Sequence, residues 1–248
     1  MPVVSPPSLA RRLTAEMMGT AFLLAAVVGS GIMAERLSGG SVGLALLANA
    51  LATGGALIAL ILTFGPISGA HFNPAVTLAD ASQRGLSWRD AMLYIPAQLI
   101  GAFAGVAAAH GMFGEPLFSA STHIRAGAAQ AFSEGVATFG LLSVIWGVSR
   151  SRATVVPFAV AAYIVGAYWF TSSTSFANPA VTLARAATNT FAGIRPADVP
   201  AFLLAQLVGT ACATALFRWL SAAVPAVAPE VVVPHGGQSP STRSRDVP

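Results

Sequence analysis

The chain has 248 residues, 55% of them hydrophobic and only 9% charged, with 13 basic against 9 acidic residues and a mean hydropathy of +0.70. So little polar material cannot coat a soluble globule of this length, and the arginines lie scattered between apolar runs; a membrane protein is implied and a nucleic-acid-binding domain excluded. The single Cys212 excludes an internal disulfide and reads as a buried packing residue.

In chain order, residues 1–12 form a short N-terminal segment, and the first apolar stretch runs from Leu13 to Met33. Two arginines precede it, as in a secretory signal, but it matches the ~20 residues needed to cross a bilayer and reads as a retained span. Five more spans are predicted at Val42 to Phe64, Trp88 to Gly111, Gly127 to Val148, Val155 to Phe170 and Ala201 to Val224. The third opens with "SWRD": Ser87 caps the helix, Asp90 reaches back as its capping-box partner, and Trp88 suits the membrane interface. An even number of spans puts both termini on one side. With that side cytoplasmic, inner segments hold nine arginines and outer ones only Arg36, Arg125, Arg185 and Arg195, which favours that orientation. Residues 225–248, rich in Pro, Gly and Ser, read as a disordered cytoplasmic tail in which His235 is solvated.

The sequence repeats itself. "HFNPAVTLAD" from His71 returns as "FANPAVTLAR" from Phe176; "AEMMGTAFLL" from Ala15 aligns with "SEGVATFGLL" from Ser133; "AQLIGA" from Ala97 aligns with "AQLVGT" from Ala205. The chain is a tandem duplication, residues 13–118 and 119–224. Each half holds three spans, an odd number, so the second half enters the membrane from the opposite side and the repeat is inverted.

The segments beginning at Asn73 and Asn178 carry about ten weakly apolar residues each, too few to cross. They fit re-entrant half-helices, tolerated at membrane depth only when packed in protein or lining a wet cavity. Asn is a preferred N-cap, Pro74 and Pro179 suit the first helical position, and Ala75 and Ala180 continue the turn. Each capping Asn spends its oxygen on its own helix and leaves its NH₂ to donate outward. Two such ends meeting near the midplane would hydrogen-bond a neutral hydroxyl solute. A cation about 5 Å from two half-charges would be repelled by about 3 kcal/mol at an effective dielectric of ~20.

The two copies end in Asp80 and Arg185. Arg185 suits a helix C-terminus; Asp80 does not, and Arg84 at i+4 is its expected partner. Glu16 and Glu134, one per half, face the interior and either relay protons or bond the backbone of the re-entrant loops, the structural role being favoured. His71 either lines the inner vestibule or tethers a loop, His110 is placed at the interface, and Gln98 and Gln206 bridge helices. No phosphate loop, metal-ligand cluster or nucleophile–base arrangement supports an enzyme.

On the doubled Asn-Pro-Ala phrase and "SGAHFNPAVT", the chain resembles the aquaporin superfamily, the major intrinsic proteins, over about residues 9 to 224. The resemblance implies an all-α membrane protein of six transmembrane helices plus two half-helices. It also implies a pore in every protomer, a homotetramer in the lipid bilayer of the cell (plasma or inner) membrane, and passive transport without cofactor or energy input. Counting from each Asn, the family's outer selectivity filter falls at Thr53, Gly166, Ser175 and Val181, with His71 and Arg185 at the vestibules. The family's usual filter Arg is replaced by Val181, which implies a wide, uncharged filter unless Arg185 swings into it. The function expected is a channel for small neutral solutes (glycerol, urea-like molecules or undissociated metalloid acids) with water. A coupled secondary carrier and a closed-pore structural membrane protein are the alternatives.

Overall fold

The computed structural model describes residues 7–220, which form eight α-helices in chain order. Six are long: α1 (Leu9–Leu37), α2 (Val42–Ser68), α4 (Trp88–Phe113), α5 (Ala128–Arg152), α6 (Val156–Phe170) and α8 (Val199–Leu220). Two are short: α3 (Pro74–Ser82) and α7 (Pro179–Arg185), of 9 and 7 residues. At 1.5 Å rise per residue the short pair spans roughly 10–14 Å each, less than half of a bilayer core. The tail and His235 lie outside the described residues.

Serine hydroxyls start three of the long helices: Ser8, Ser41 and Ser87 accept from the backbone N–H three residues on. Asp90 does not reach back to close a capping box; its carboxylate takes Arg12 of α1 at 2.8 Å. α2 continues four residues past the expected Phe64, through Pro66, and ends where Gly69 turns left-handed at φ 91° and its N–H bonds Gly65. One turn of 3₁₀-helix at Ala153–Val155 separates α5 from α6, so one long apolar stretch becomes two packed helices.

The long helices pack by repeat. α1 lies on α4 and α2, α5 on α8 and α6, and α2 meets α6 across the middle. Glycine makes the closest crossings possible: a Cβ at Gly101 or Gly105 of α4 would overlap the Met17 or Ala21 carbonyl of α1, and one at Gly209 of α8 would overlap the Gly135 carbonyl of α5. The half-helices fill the interior; Ala75, Thr77, Ala180 and Thr182 have no exposed surface. Outer faces stay apolar and exposed, as at Phe22, Leu51, Ile100, Phe132, Phe158 and Leu204. That pattern suits lipid rather than water. Cys212 sits on such a face of α8, exposed, which corrects its expected burial. His110, placed at the interface from sequence, is instead 1% exposed, with Nε2 at 2.8 Å from the Thr188 hydroxyl.

Candidate functional site

The loop leading into each half-helix is forced into an unusual conformation. Ala70 and Phe72 before α3, and Thr174, Ser175 and Ala177 before α7, have φ between 47° and 61°, a left-handed region that side chains with a Cβ disfavour. A buried glutamate holds each loop there. Glu16 accepts the His71 and Phe72 N–H groups at 3.0 and 2.7 Å, the Ser68 hydroxyl at 2.6 Å and the Gln98 amide at 2.8 Å. Glu134 accepts the Phe176 and Ala177 N–H groups at 2.8 and 2.9 Å and the Gln206 amide at 2.6 Å. Gln98 and Gln206 also donate to Thr77 and Thr182, whose hydroxyls bond the Asn73 and Asn178 carbonyls. Both glutamates therefore stand as fully bonded backbone anchors, and each glutamine ties a glutamate to the first turn of a half-helix.

Asn73 and Asn178 cap their helices through Oδ1, which accepts from Ala75 N at 2.9 Å and from Ala180 N at 3.0 Å. Their amides are not left wholly free, as the residue inventory alone suggests. Asn73 Nδ2 donates to the Ala177 carbonyl and Asn178 Nδ2 to the Phe72 carbonyl, both at 2.8 Å. These reciprocal bonds stitch the two helix starts together. Each amide keeps one N–H to offer, since Asn carries two.

A cavity of about 80 Å³ runs beside this junction, several times the ~10–15 Å³ that one water needs. Its walls are stripes at four-residue spacing, Thr53, Leu57 and Ile61 on α2 and Val160, Ile164 and Tyr168 on α6. The polar groups that break this apolar lining are His71, Asn73, Asn178, Thr53, Ser175, Tyr168 and Arg185.

Of the four filter positions counted from sequence, Thr53, Ser175 and Val181 line the cavity and Gly166 does not. Gly166 lies on the exposed side of α6, two residues from the lining stripe, because helical periodicity turns position 166 roughly 160–200° away from 164 and 168. Tyr168 stands in its place, its hydroxyl 3.2 Å from Thr53 Oγ1. The four-residue stripe was the sequence signal that could have found it. The lining is not uncharged either: Arg185, 2% exposed, reaches the central cavity and a second, outer cavity toward the loops that hold His123 and Phe191, named outer for the orientation expected from the arginines, and stacks its guanidinium 3.4 Å over the Phe176 ring. Arg125, singled out by nothing in its sequence neighbourhood, lines that outer cavity too.

Asp80 is paired differently from its expected contact with Arg84. Arg84 is exposed, at φ 70°, while Asp80 Oδ2 faces His71 Nε2 at 3.6 Å in the interior.

The model of the major intrinsic protein family matches residues 4–175. The chain belongs to the major intrinsic protein family. Within it, the chain is 55% identical over 212 residues to aquaglyceroporin AqpS of Rhizobium meliloti (strain 1021), covering 86% of this chain and 91% of that protein. It is 34% identical over 154 residues to aquaporin NIP6-1 of Arabidopsis thaliana, 60% of this chain and 49% of that one. The fold is that of the solved aquaglyceroporin from Plasmodium falciparum, with a TM-score of 0.71 at 23% identity over 88% of this chain and 99% of the other. For this family member, a multi-pass helical membrane protein, the duplicated Asn-Pro-Ala phrase and its supporting glutamates are the frame around which any permeation path is built.

Proposed function

We propose that this protein is a passive channel for small neutral solutes, glycerol among them, with water as a co-permeant. The observation that carries this reading is the cavity beside the joined half-helices: apolar stripes from four helices, interrupted by hydroxyl and amide groups that can exchange hydrogen bonds with a solute's oxygens. A polyol or an undissociated acid replaces part of its hydration there, while an ion meets mostly hydrocarbon and loses its solvation.

Asn73 and Asn178 act as central donors, with Pro74, Ala75, Pro179 and Ala180 fixing the helix starts. Thr53, Tyr168, Ser175 and Val181 form the outer constriction, and His71 lines the inner vestibule. The likeness to an aquaglyceroporin at 55% identity supports glycerol-sized solutes, and urea-like molecules and undissociated metalloid acids fall in the same size and charge class. The unpolarised exposed faces of the long helices suit a homotetramer in the cell membrane, and the arginine bias suits cytoplasmic termini.

The test is stopped-flow swelling of proteoliposomes across a graded panel: water, urea, glycerol, erythritol. Glycerol flux well above protein-free vesicles and independent of any proton or sodium gradient is expected. Flux that follows such a gradient would establish a coupled carrier instead, and no flux of any solute a closed structural protein.

A further inference from the structure

The outer cavity brings together two arginines from distant parts of the chain. Arg185 ends α7 at the seventh position after Asn178, and Arg125 lies in the loop before α5. Both guanidiniums sit over one ring, Phe176, at 3.4 and 5.0 Å from its centroid. Each is tethered by main-chain carbonyls: Arg185 Nε donates to Ala192, and Arg125 donates to Gly193 through Nε at 2.8 Å and to Ser173 through Nη1 at 3.2 Å.

Neither side chain has a carboxylate within ion-pair distance among the described residues. Asp198, the acidic group nearest in contact, takes the backbone N–H of Arg125 and pairs its oxygens with Arg195. Glu134 spends its oxygens on Phe176 N, Ala177 N and Gln206. Glu35 shares the outer cavity wall without reaching either guanidinium, and His123 lines it as well. Among the described residues Arg185 makes one hydrogen bond, through Nε, so its two terminal NH₂ groups are left for whatever occupies the cavities on either side.

We infer that Arg185, held on Phe176 and backed by Arg125, is a charge guard and solute donor at the outer constriction, doing at the seventh position what Val181 at the third cannot. Two fixed positive charges, on which Glu134 acts only from beyond ion-pair distance, repel a cation beside a narrow apolar passage, because little water is present to screen them. A neutral solute meets only N–H donors on this side and the Thr53 and Tyr168 hydroxyls on the other. Arg125, fixed by its bonds to Gly193 and Ser173, sets a like charge beside the Phe176 ring that disfavours an outward swing of the Arg185 guanidinium.

This inference rests on the channel reading, and the test separates the two. Potassium conductance in planar bilayers and glycerol swelling in vesicles are measured on the same purified preparations. The wild type should swell without a potassium current. Arg185→Gln should raise the ratio of potassium to glycerol permeability at least about tenfold, Arg125→Gln about threefold, and Arg185→Lys should hold it near the wild-type value. An unchanged ratio in Arg185→Gln, or an equal rise in Arg185→Lys, overturns the guard. Should Arg185→Gln fail to reach the membrane fraction, Arg125→Gln decides alone, a rise supporting the guard and an unchanged ratio overturning it. Absence of glycerol swelling in the wild type counts against the channel, while the conductance comparison still judges the guard.

Discussion

The two re-entrant halves share one skeleton and differ in what is hung on it. With the 105-residue offset between the two phrases, His71 corresponds to Phe176, Phe72 to Ala177 and Asp80 to Arg185. Three supports of the loops repeat: a glutamate under two backbone N–H groups, a glutamine from it to a threonine, an asparagine reaching across to the other half. A ring packs edge-on to a second ring in each half, His71 to Tyr94 and Phe176 to Phe202. What inverts is the pair of ring and final charge: imidazole with carboxylate in one half, benzene ring with guanidinium in the other. The carboxylate lies 3.6 Å from an imidazole nitrogen, and the guanidinium stacks on a π face, which suits a cation. The supports are thus common to both halves, while the first, second and last residues of the ten-residue phrase differ.

Breaking the shared skeleton should have the largest effect. Glu16→Leu leaves two backbone N–H groups, a hydroxyl and an amide without an acceptor, and Glu134→Leu leaves two N–H groups and an amide. At about 1–3 kcal/mol for each unsatisfied buried donor, either change costs more than about 3 kcal/mol. Both variants should lose monodisperse protein in detergent, Glu16→Leu the more completely. Survival of one and loss of the other would show that the halves do not carry equal weight.

The asparagine junction comes next. Asn73→Ala and Asn178→Ala each remove a cap, about 1 kcal/mol, and a buried cross-bond of similar size. Because the two bonds hold the same pair of helix starts, the second loss should cost less than the first, giving a coupling of roughly 0.5–1 kcal/mol in a double-mutant cycle on thermal unfolding. Strict additivity would mean that the halves are held together elsewhere.

A third comparison uses the differing charges. Val76 and Val181 are equivalent, and both line the central cavity. Val76→Arg places a cation one turn from Asp80, whereas Val181→Arg places one a turn from Arg185. The second should be less stable than the first by on the order of 1 kcal/mol, while both obstruct glycerol more than water. Equal melting temperatures would show that the charge inversion is not felt at the third position.

Most of this frame was legible in the sequence because duplication makes short-range signals speak twice. The spans, the half-helices and the two glutamates follow from length, capping chemistry and the price of an ion in hydrocarbon. What escaped is what depends on where helices face each other. Gly166 was reached by counting through a loop, and a slip of two residues on a helix turns a lining position into a lipid-facing one. Asp80 drew a local partner, Arg84, because neighbours in sequence are all that a linear reading offers; His71 approaches it through the fold of the loop. Arg125 lies fifty-odd residues from the phrase it serves, in a segment with no periodicity to mark it.

The smallest expected effect lies in the turn ahead of α8. Asp198 corresponds, at the 108-residue offset of Gln98 and Gln206, to Asp90; one takes Arg195 at 2.7 Å and the other Arg12 at 2.8 Å. The hydrogen bond from Arg195 holds the Asp198 carboxyl below its usual range, with the backbone N–H of Arg125 adding to it. A carboxyl depressed in the folded state contributes stability that is present above its unfolded pKa of about 3.9 and is lost as pH falls through the lower folded value. Asp198→Asn should therefore melt below the wild type at pH 6, and the gap should close as the pH is taken down toward 3. Taking the difference between the two proteins cancels every other carboxyl. A gap that stays constant through that window would mean that Asp198 acts by its shape and its bond to Arg125 rather than by its charge, leaving the position of Arg125 at the outer mouth independent of acid.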